Sequence, residues 1–330
     1  MKGRAPTFSL VVPVFRESVR LRHFLSAVRL VMDQVGAPYE ILLIDDGSPD
    51  DSWQVMVEEA SQDSHLRAIR LSRNFGKEAA LCAGLDAARG TVFIVMDADM
   101  QHPPTLIPEM IQVWRTSGAN IVEGVKQEVV GESFSIKWRR GLYYWMMDRL
   151  SGFDLKGASD FKLMDHRVRQ AWLKLGERNL FFRGMIAWLG FKREQVGFIV
   201  PERSGGLSGW PLRRLIRLAM TSIMAFSTIP LRFASVTGLL FSLFAVGVGL
   251  DSLRSWWRGV AVPGATTIIL LQLIIGAAVL LSIGVIGEYM ARIYDEVKGR
   301  PRYLISDTVG KSAASAEVLE MEEVHDPSSL

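Results

Sequence analysis

Two carboxylates spaced two apart, Asp97 and Asp99, with the amide of Gln101 at the next alternate position, follow directly on the apolar run Val92-Phe93-Ile94-Val95-Met96. A short apolar run ending in acids reads as a buried strand that delivers carboxylates to the carboxyl edge of a sheet. In a strand successive side chains point to opposite faces, so Asp97 and Asp99 share a face with Gln101. Three oxygen donors then suit a hard divalent cation, Mg2+ or Mn2+, that keeps waters and ligand phosphates as its other partners. Such a cation neutralises a departing diphosphate. The same residues also fit a solvated turn after a strand, so the neighbouring loops must decide.

Those loops are set by an alternation of element signals along residues 7–125. Strands are predicted at 8–15, 39–44, 66–71 and 92–96, and helices at 19–32, 51–61 and 77–88. This order implies an α/β domain with a mostly parallel, Rossmann-like sheet and helices on both faces. Four polar clusters fall just after strands: Arg16-Glu17, Asp45-Asp46-Gly47-Ser48, Ser72-Arg73-Asn74 and Asp97 to Gln101. Their coincidence at one sheet edge is the pattern of a nucleotide site. Asp45-Asp46-Gly47-Ser48 equally reads as an Asx turn leading to a helix cap at Ser48 or Asp50, and both roles are compatible. No glycine-rich dinucleotide fingerprint and no Walker pattern follows any of these strands, which argues against a dinucleotide enzyme or a P-loop ATPase.

The rest of the chain is of a different character. Hydrophobic residues make up 49% of the 330, and the formal charge is only +3, too small to argue for a nucleic-acid partner. A single cysteine, Cys82, excludes an intrachain disulfide, and five scattered histidines make a structural zinc improbable. Lys2 and Arg4 precede an apolar run that is short and contains Pro13, a strand rather than a leader. Residues 233–250 and 266–287 carry no charge, and each approaches the ~20 residues needed to cross a bilayer core. The link 251–265, with Trp256 and Trp257, reads as an interfacial hairpin loop. Arg213, Arg214, Arg217 and Arg232 lie before the spans and Arg292, Lys298, Arg300 and Arg302 after them, against two arginines in the link. The positive-inside rule then puts both flanking segments on the cytoplasmic side. Apolar residues at helical spacing over 211–226, with a basic side, predict a helix lying in the membrane interface; an ordinary surface helix gives the same pattern. From Lys311 the composition predicts disorder.

Val11-Val12-Pro13-Val14-Phe15-Arg16-Glu17, Asp45-Asp46-Gly47-Ser48-Pro49-Asp50 and Asp97-Ala98-Asp99-Met100-Gln101-His102-Pro103-Pro104 together resemble the family 2 glycosyltransferases of GT-A fold. Within them the chain looks like the polyprenyl-phosphate glycosyltransferases, a group that includes bactoprenol (undecaprenyl-phosphate) glucosyltransferases and dolichyl-phosphate mannose synthases. Arg73-Asn74-Phe75-Gly76-Lys77, Gly157 to Met164, Arg183-Gly184 with Trp188, Gly287-Glu288-Tyr289 and Arg300-Pro301-Arg302-Tyr303 extend the resemblance over roughly residues 8–304. The two C-terminal spans favour the bacterial glucosyltransferase branch. The resemblance implies a GT-A catalytic domain at 1–210, an interfacial helix at 211–230, a two-helix transmembrane hairpin at 231–290 and a cytoplasmic tail at 291–330.

The resemblance also implies roles. Pro13, Glu17, Asp45 and Asp46 match positions that hold the nucleotide base and ribose, and Asp97, Asp99 and Gln101 match the metal-binding set. Lys126 and Arg140 match cations set against a lipid phosphate, with Ser208 beside them, and Arg203 matches a loop residue that reaches the donor diphosphate. Asp160 matches an acid near the sugar, as orienting group or base; a helix N-cap for Phe161 onward is its structural alternative. The family's Gly-Glu-Ser-Lys pattern stands here as Gly206-Leu207-Ser208-Gly209, which restricts that loop's expected role to Arg203 and Ser208. His102 beside Gln101 is expected to be solvated and is not assigned as a ligand. The implied reaction is inverting transfer of a hexose, UDP-glucose the favoured donor, to polyprenyl phosphate at the inner membrane of a bacterium. GDP-mannose, a UDP-N-acetylhexosamine or an aminoarabinose donor are alternatives, and a homo-oligomer is compatible with it. A non-catalytic nucleotide-sugar-binding subunit is the reading from another class. A processive synthase is disfavoured by the absence of Gln-x-x-Arg-Trp.

Overall fold

The computed structural model describes residues 6–126, 159–177, 182–198, 229–259 and 264–310. Eight strands form one sheet in the order β7-β5-β6-β4-β1-β2-β3-β8. Its centre is the parallel set β3 (Leu66–Leu71), β2 (Tyr39–Asp45), β1 (Phe8–Val14) and β4 (Val92–Val95). The chain runs outward from β1 to β3 and then returns to the other side of β1 for β4. That reversal is a topological switch point, and it opens a crevice between the carboxyl ends of β1 and β4. Beyond β4 lies β6 (Lys162–Asp165), antiparallel to both β4 and β5 (Ile121–Lys126), and β7 (Arg193–Phe198) runs parallel to β5. Hence β5 points the same way as β4, and Lys126 ends on the sheet edge that carries Asp97.

Burial explains why these segments became strands. In β1, Phe8, Leu10, Val12 and Val14 face one core and Val11 the other. The first core is closed by α1 (Leu21–Val35), α2 (Ser52–Gln62) and α4 (Ile107–Ser117), the second by α3 (Lys77–Ala87), α5 (His166–Leu173) and α6 (Phe182–Trp188). Both faces of the sheet are therefore covered, as the apolar runs predict. Helix α3 lies close against β1 because Gly84 carries no side chain: a Cβ there would run into Val11 Cγ1.

The sheet has an edge that the sequence reading did not anticipate. After the long C-terminal helices the chain returns as β8 (Ile305–Val309), antiparallel to β3. It is anchored by Ser72 N–H donating to Leu304 O at 2.9 Å and by Tyr303 Oη donating to Asp86 at 2.8 Å. Arg302 also donates to Leu175 O. The part of the tail that follows the second long helix is thus built into the central sheet, while the tail from Lys311 lies outside the described residues.

Two long helices precede β8: α7 (Ile229–Trp257) and α8 (Ala265–Val297), packed against each other. Helix α7 does not stop at Leu250. It runs on through the segment predicted as a hairpin loop, because 251–257 contains no glycine or proline, and ends before Gly259 at φ 69°. Much of the described apolar surface of both helices, including Leu240, Leu243, Leu280 and Leu281, is exposed. Among the described residues one segment, Ile274–Val297, is long and apolar enough to cross a membrane, and Val236–Asp251 is a shorter apolar stretch. The interfacial helix predicted at 211–226 lies outside the described residues.

Candidate active site

A cleft of about 360 Å3 opens at the switch point, lined by residues that follow β1, β2, β3 and β4. Pro13, Glu17, Asp46, Asp97 and Asp99, all expected at a nucleotide site, line it together with Asn74 and Lys77. Two of the loops are tied by side chains from the Asp-Gly-Ser-Pro-Asp-Asp-Ser run. Arg16 N–H donates to Ser48 Oγ at 3.1 Å and Glu17 N–H to Ser52 Oγ at 2.9 Å. Gly47, at φ 65°, lets the third loop approach, since a Cβ there would lie 2.5 Å from the Arg73 carbonyl carbon. The described non-glycine residues with positive φ are Arg16 at 60° and Met100 at 62°, one in the loop after β1 and one in the loop after β4. Strained backbone of this kind persists where surrounding contacts over-determine it, and it clusters at functional sites.

The two adjacent acids after β2 part company. Asp46 turns to the cleft, and its carboxylate accepts from Phe75 N–H at 2.8 Å and Gly76 N–H at 3.0 Å. Asp45 is fully buried away from the cleft lining; it accepts from Ser48 N–H at 2.9 Å and faces Arg70 Nε at 3.2 Å. Burial raises the pKa of both, offset in part by Ser48 and Arg70 at Asp45 and by the two N–H groups at Asp46. Burial also raises that of Glu17, with Asp99 and Asp97 nearby acting in the same direction.

The acidic motif after β4 departs from the expected geometry. The strand ends at Val95, and residues 98–101 form a turn and bend rather than continued extended backbone. The two carboxylates reach the cleft through this turn, so strand alternation is not what unites them. Gln101 braces Asp99: its backbone N–H donates to Asp99 Oδ1 at 3.0 Å and its amide N–H to Oδ2. In this arrangement Gln101 orients the Asp99 carboxylate, its amide nitrogen turned to Asp99. His102 is not solvated. It is largely buried, its Nδ1 accepts the Asp97 N–H at 3.1 Å, and its ring stacks on Phe161 at 5.2 Å. Burial lowers its pKa, in keeping with a neutral ring that accepts at Nδ1.

Asp160 is not a helix cap. It precedes β6, and the cap of α5 is Asp165, which accepts from Arg167 N–H at 2.9 Å and Val168 N–H at 3.1 Å. Asp160 is instead gripped by cations: Arg183 Nε at 2.7 Å and a second Arg183 nitrogen at 2.8 Å, and Lys77 Nζ at 2.7 Å. Burial opposes ionisation here, but the bidentate Arg183 and the Lys77 charge outweigh it and hold the carboxyl well below the usual carboxylate range. Lys77 Nζ also reaches Asp97 Oδ1 at 2.6 Å. Sequence reasoning quoted Lys77 and Arg183 within motifs without giving either a role, since a lone basic residue carries no signal of its partner.

Beside Lys77, Glu78 accepts the Phe182 N–H at 2.9 Å, and burial pushes its carboxyl up to about 7 from 4.5. Between those two values the folded chain holds a proton that the unfolded chain has released. Stability therefore falls as pH rises from 4.5 through 7, by up to about 3 kcal/mol. Glu78→Gln keeps an acceptor for Phe182 and removes the titration. Its melting temperature at pH 8 should exceed that of the parent chain, with the two equal near pH 5. Parallel pH profiles for parent and variant would contradict the assignment.

Lys126 is exposed at the end of β5. Arg140, Arg203 and Ser208 lie outside the described residues. For a divalent cation the described donors fit: two cleft carboxylates on one turn, one braced by an amide, leave most of the coordination sphere to ligand oxygens. Among the described residues no cluster of three His, Cys, Asp or Glu side chains forms a closed cage. The arrangement suits an ion shared with a bound phosphate.

In an open α/β sheet the cleft at the switch point is where ligands bind, and here it is lined by acids. The model of the family described as glycosyl transferase family 2 matches residues 9–171. The chain is 37% identical over 309 residues to the uncharacterized glycosyltransferase YkcC of Bacillus subtilis, spanning 92% of this chain and 94% of that one. It is 34% identical over 302 residues to the SfII prophage-derived bactoprenol glucosyl transferase of Shigella flexneri, spanning 90% and 96%. A prophage bactoprenol glucosyl transferase homolog of Escherichia coli is 34% identical over 305 residues, spanning 90% and 97%. Among solved structures, glucosyl-3-phosphoglycerate synthase from Mycobacterium tuberculosis in complex with Mn2+ and UDP-glucose is 17% identical. It covers 66% of this chain and 77% of that one at a TM-score of 0.44. The chain belongs to glycosyl transferase family 2, and it is a glycosyltransferase.

Proposed function

We propose that this enzyme transfers a hexose, glucose from UDP-glucose, to a polyprenyl phosphate such as undecaprenyl phosphate on the cytoplasmic face of a bacterial inner membrane. The observation that carries the reading is the gathering of Glu17, Asp46, Asp97, Asp99 and Lys77 in one cleft. The chain that holds them aligns over nine-tenths of its length with bactoprenol glucosyl transferases. Pro13, Glu17 and Asp46 hold the nucleoside, carboxylates suiting ribose hydroxyls and base N–H groups because they are acceptors only. Asp45 supports that loop from beneath through Ser48. Asp97 and Asp99, with Gln101 bracing the latter, hold Mg2+ or Mn2+, which when bound supplies counter-charge to the diphosphate.

On the acceptor side, Lys126 stands at the same sheet edge as the acids, and Arg140, Ser208 and Arg203 complete the set by resemblance. A lipid monophosphate is already anionic at neutral pH, so its oxygen needs no strong base. Asp160, held ionised by Lys77 and Arg183, is a poor proton acceptor and serves to orient the sugar. Attack from the face opposite the nucleotide inverts the anomeric carbon and gives a β-linked product from an α-linked donor. Helices α7 and α8 form the membrane hairpin, with both flanks cytoplasmic; their exposed apolar surfaces support this.

Calorimetric titration of the detergent-solubilised full chain with UDP, GDP and CDP, each with Mn2+, tests the donor assignment. UDP should bind at least tenfold more tightly than GDP or CDP, about 1.4 kcal/mol. Preference for GDP would replace UDP-glucose by GDP-mannose.

A further inference from the structure

We propose that His102 is a positioning residue for the divalent cation: its Nδ1 accepts the Asp97 N–H and closes the turn that carries Asp97 and Asp99. The proposal rests on the metal reading of those two carboxylates given above. The turn needs such a closure, because the sheet stops fixing the backbone just before it. The Met96 N–H still donates to Val11 O of β1 at 3.3 Å, whereas the Asp97 N–H donates to His102 Nδ1 at 3.1 Å. Met100, at φ 62°, reverses the chain between them. Each acid is then held from the far end of the turn, Asp99 through its carboxylate by Gln101 and Asp97 through its backbone by His102. The histidine bond takes up an N–H and leaves the Asp97 carboxylate on the cleft lining.

An acceptor places a turn only as well as it is placed itself, and His102 is fixed on two sides. Its side chain is 12% exposed. The ring stacks on Phe161 with 27° between planes, and it meets Phe198 edge-on at 6.2 Å and 83°. The two phenylalanines touch each other edge-on, also at 6.2 Å, so the three rings lock as a set. Phe161 is fully buried, and its carbonyl accepts the Gly124 N–H of β5 at 2.9 Å. Phe198 is the last residue of β7. The loop after β4 is therefore registered against β5, β6 and β7 through one imidazole. Phe161 also follows Asp160 directly, so the same ring sets the acidic turn's place relative to the carboxylate assigned to the sugar.

Two substitutions in the full chain separate the acceptor from the ring. His102→Phe keeps an aromatic ring and removes the acceptor. His102→Asn removes the ring and keeps an acceptor, since the asparagine Oδ1 stands two bonds beyond Cβ as the imidazole Nδ1 does. The readouts are Mn2+ binding, with the metal alone, by electron paramagnetic resonance, and the melting temperature. Loss of a group that orients a metal ligand should weaken Mn2+ in His102→Phe about tenfold or more. His102→Asn should bind Mn2+ within about threefold of the parent even though it melts lower, the aromatic set having been broken. A residue that serves packing alone would give the reverse, with parent-like Mn2+ affinity in His102→Phe and weakened affinity in His102→Asn, and that result would overturn the proposal. Equal weakening in both variants, or parent-like affinity in both, would overturn it as well and leave the metal reading standing. A parent chain that binds no Mn2+ would overturn both.

Discussion

Asp99→Asn should lower sugar transfer by about a thousandfold or more, the scale of losing preorganised charge stabilisation at a leaving group. The substitution is chosen for what it preserves. Asparagine retains an acceptor for the Gln101 N–H that bonds Asp99 Oδ1 at 3.0 Å, so the turn at 98–101 should persist while the negative charge is lost. Chelation by EDTA should have the same effect on the parent enzyme and should be reversed by added Mg2+ or Mn2+. The measurement is initial rate against divalent concentration for parent and variant. Undiminished turnover in chelator would remove the metal from the account and with it the assigned role of Asp97 and Asp99.

The largest stability effect should come from a pair far less conspicuous in the sequence. Glu123 on β5 and Lys162 on β6 are register partners across antiparallel strands, and both are fully buried. Lys162 Nζ donates to Glu123, and burial pulls the lysine pKa down against that partner's pull upward. Glu123→Leu alone leaves an ammonium in the core without its carboxylate and should cost about 3–5 kcal/mol. Adding Lys162→Met should return most of the loss, since a packed apolar pair avoids desolvating two charges. Melting temperatures of the two single variants and the double variant decide it. A double variant as unstable as the singles would show that β5 and β6 need the ion pair itself to hold their register.

How legible the molecule was in its sequence follows from how local each signal is. Strands β1 to β4 were readable because each is an apolar run with a turn cluster after it, and the cleft was readable because four such clusters share one edge. Strand β8 was not. Ile305-Ser306-Asp307-Thr308-Val309 is short and largely exposed, and it is a strand because β3 offers it an unpaired edge. The split between Asp45 and Asp46 was within reach, since adjacent residues of an extended chain point opposite ways. The turn at Asp97 to Gln101 was not, because the positive φ of Met100 is imposed by surrounding contacts and no glycine announces it. Lys77 and Arg183 stand 83 and 23 residues from Asp160, a separation across which charge pairing leaves no pattern in one sequence.

The central claim is a lipid acceptor for a sugar taken from a nucleotide. Its most direct test is to incubate the purified full chain with undecaprenyl phosphate in detergent micelles, Mg2+ and UDP-glucose carrying 13C throughout the sugar, and to read the lipid by mass spectrometry. The account predicts a new species heavier than undecaprenyl phosphate by one labelled hexosyl unit, formed by the parent enzyme and absent with Asp99→Asn. Consumption of UDP-glucose with label recovered only as free glucose or on a soluble acceptor, and none on the lipid, would contradict it.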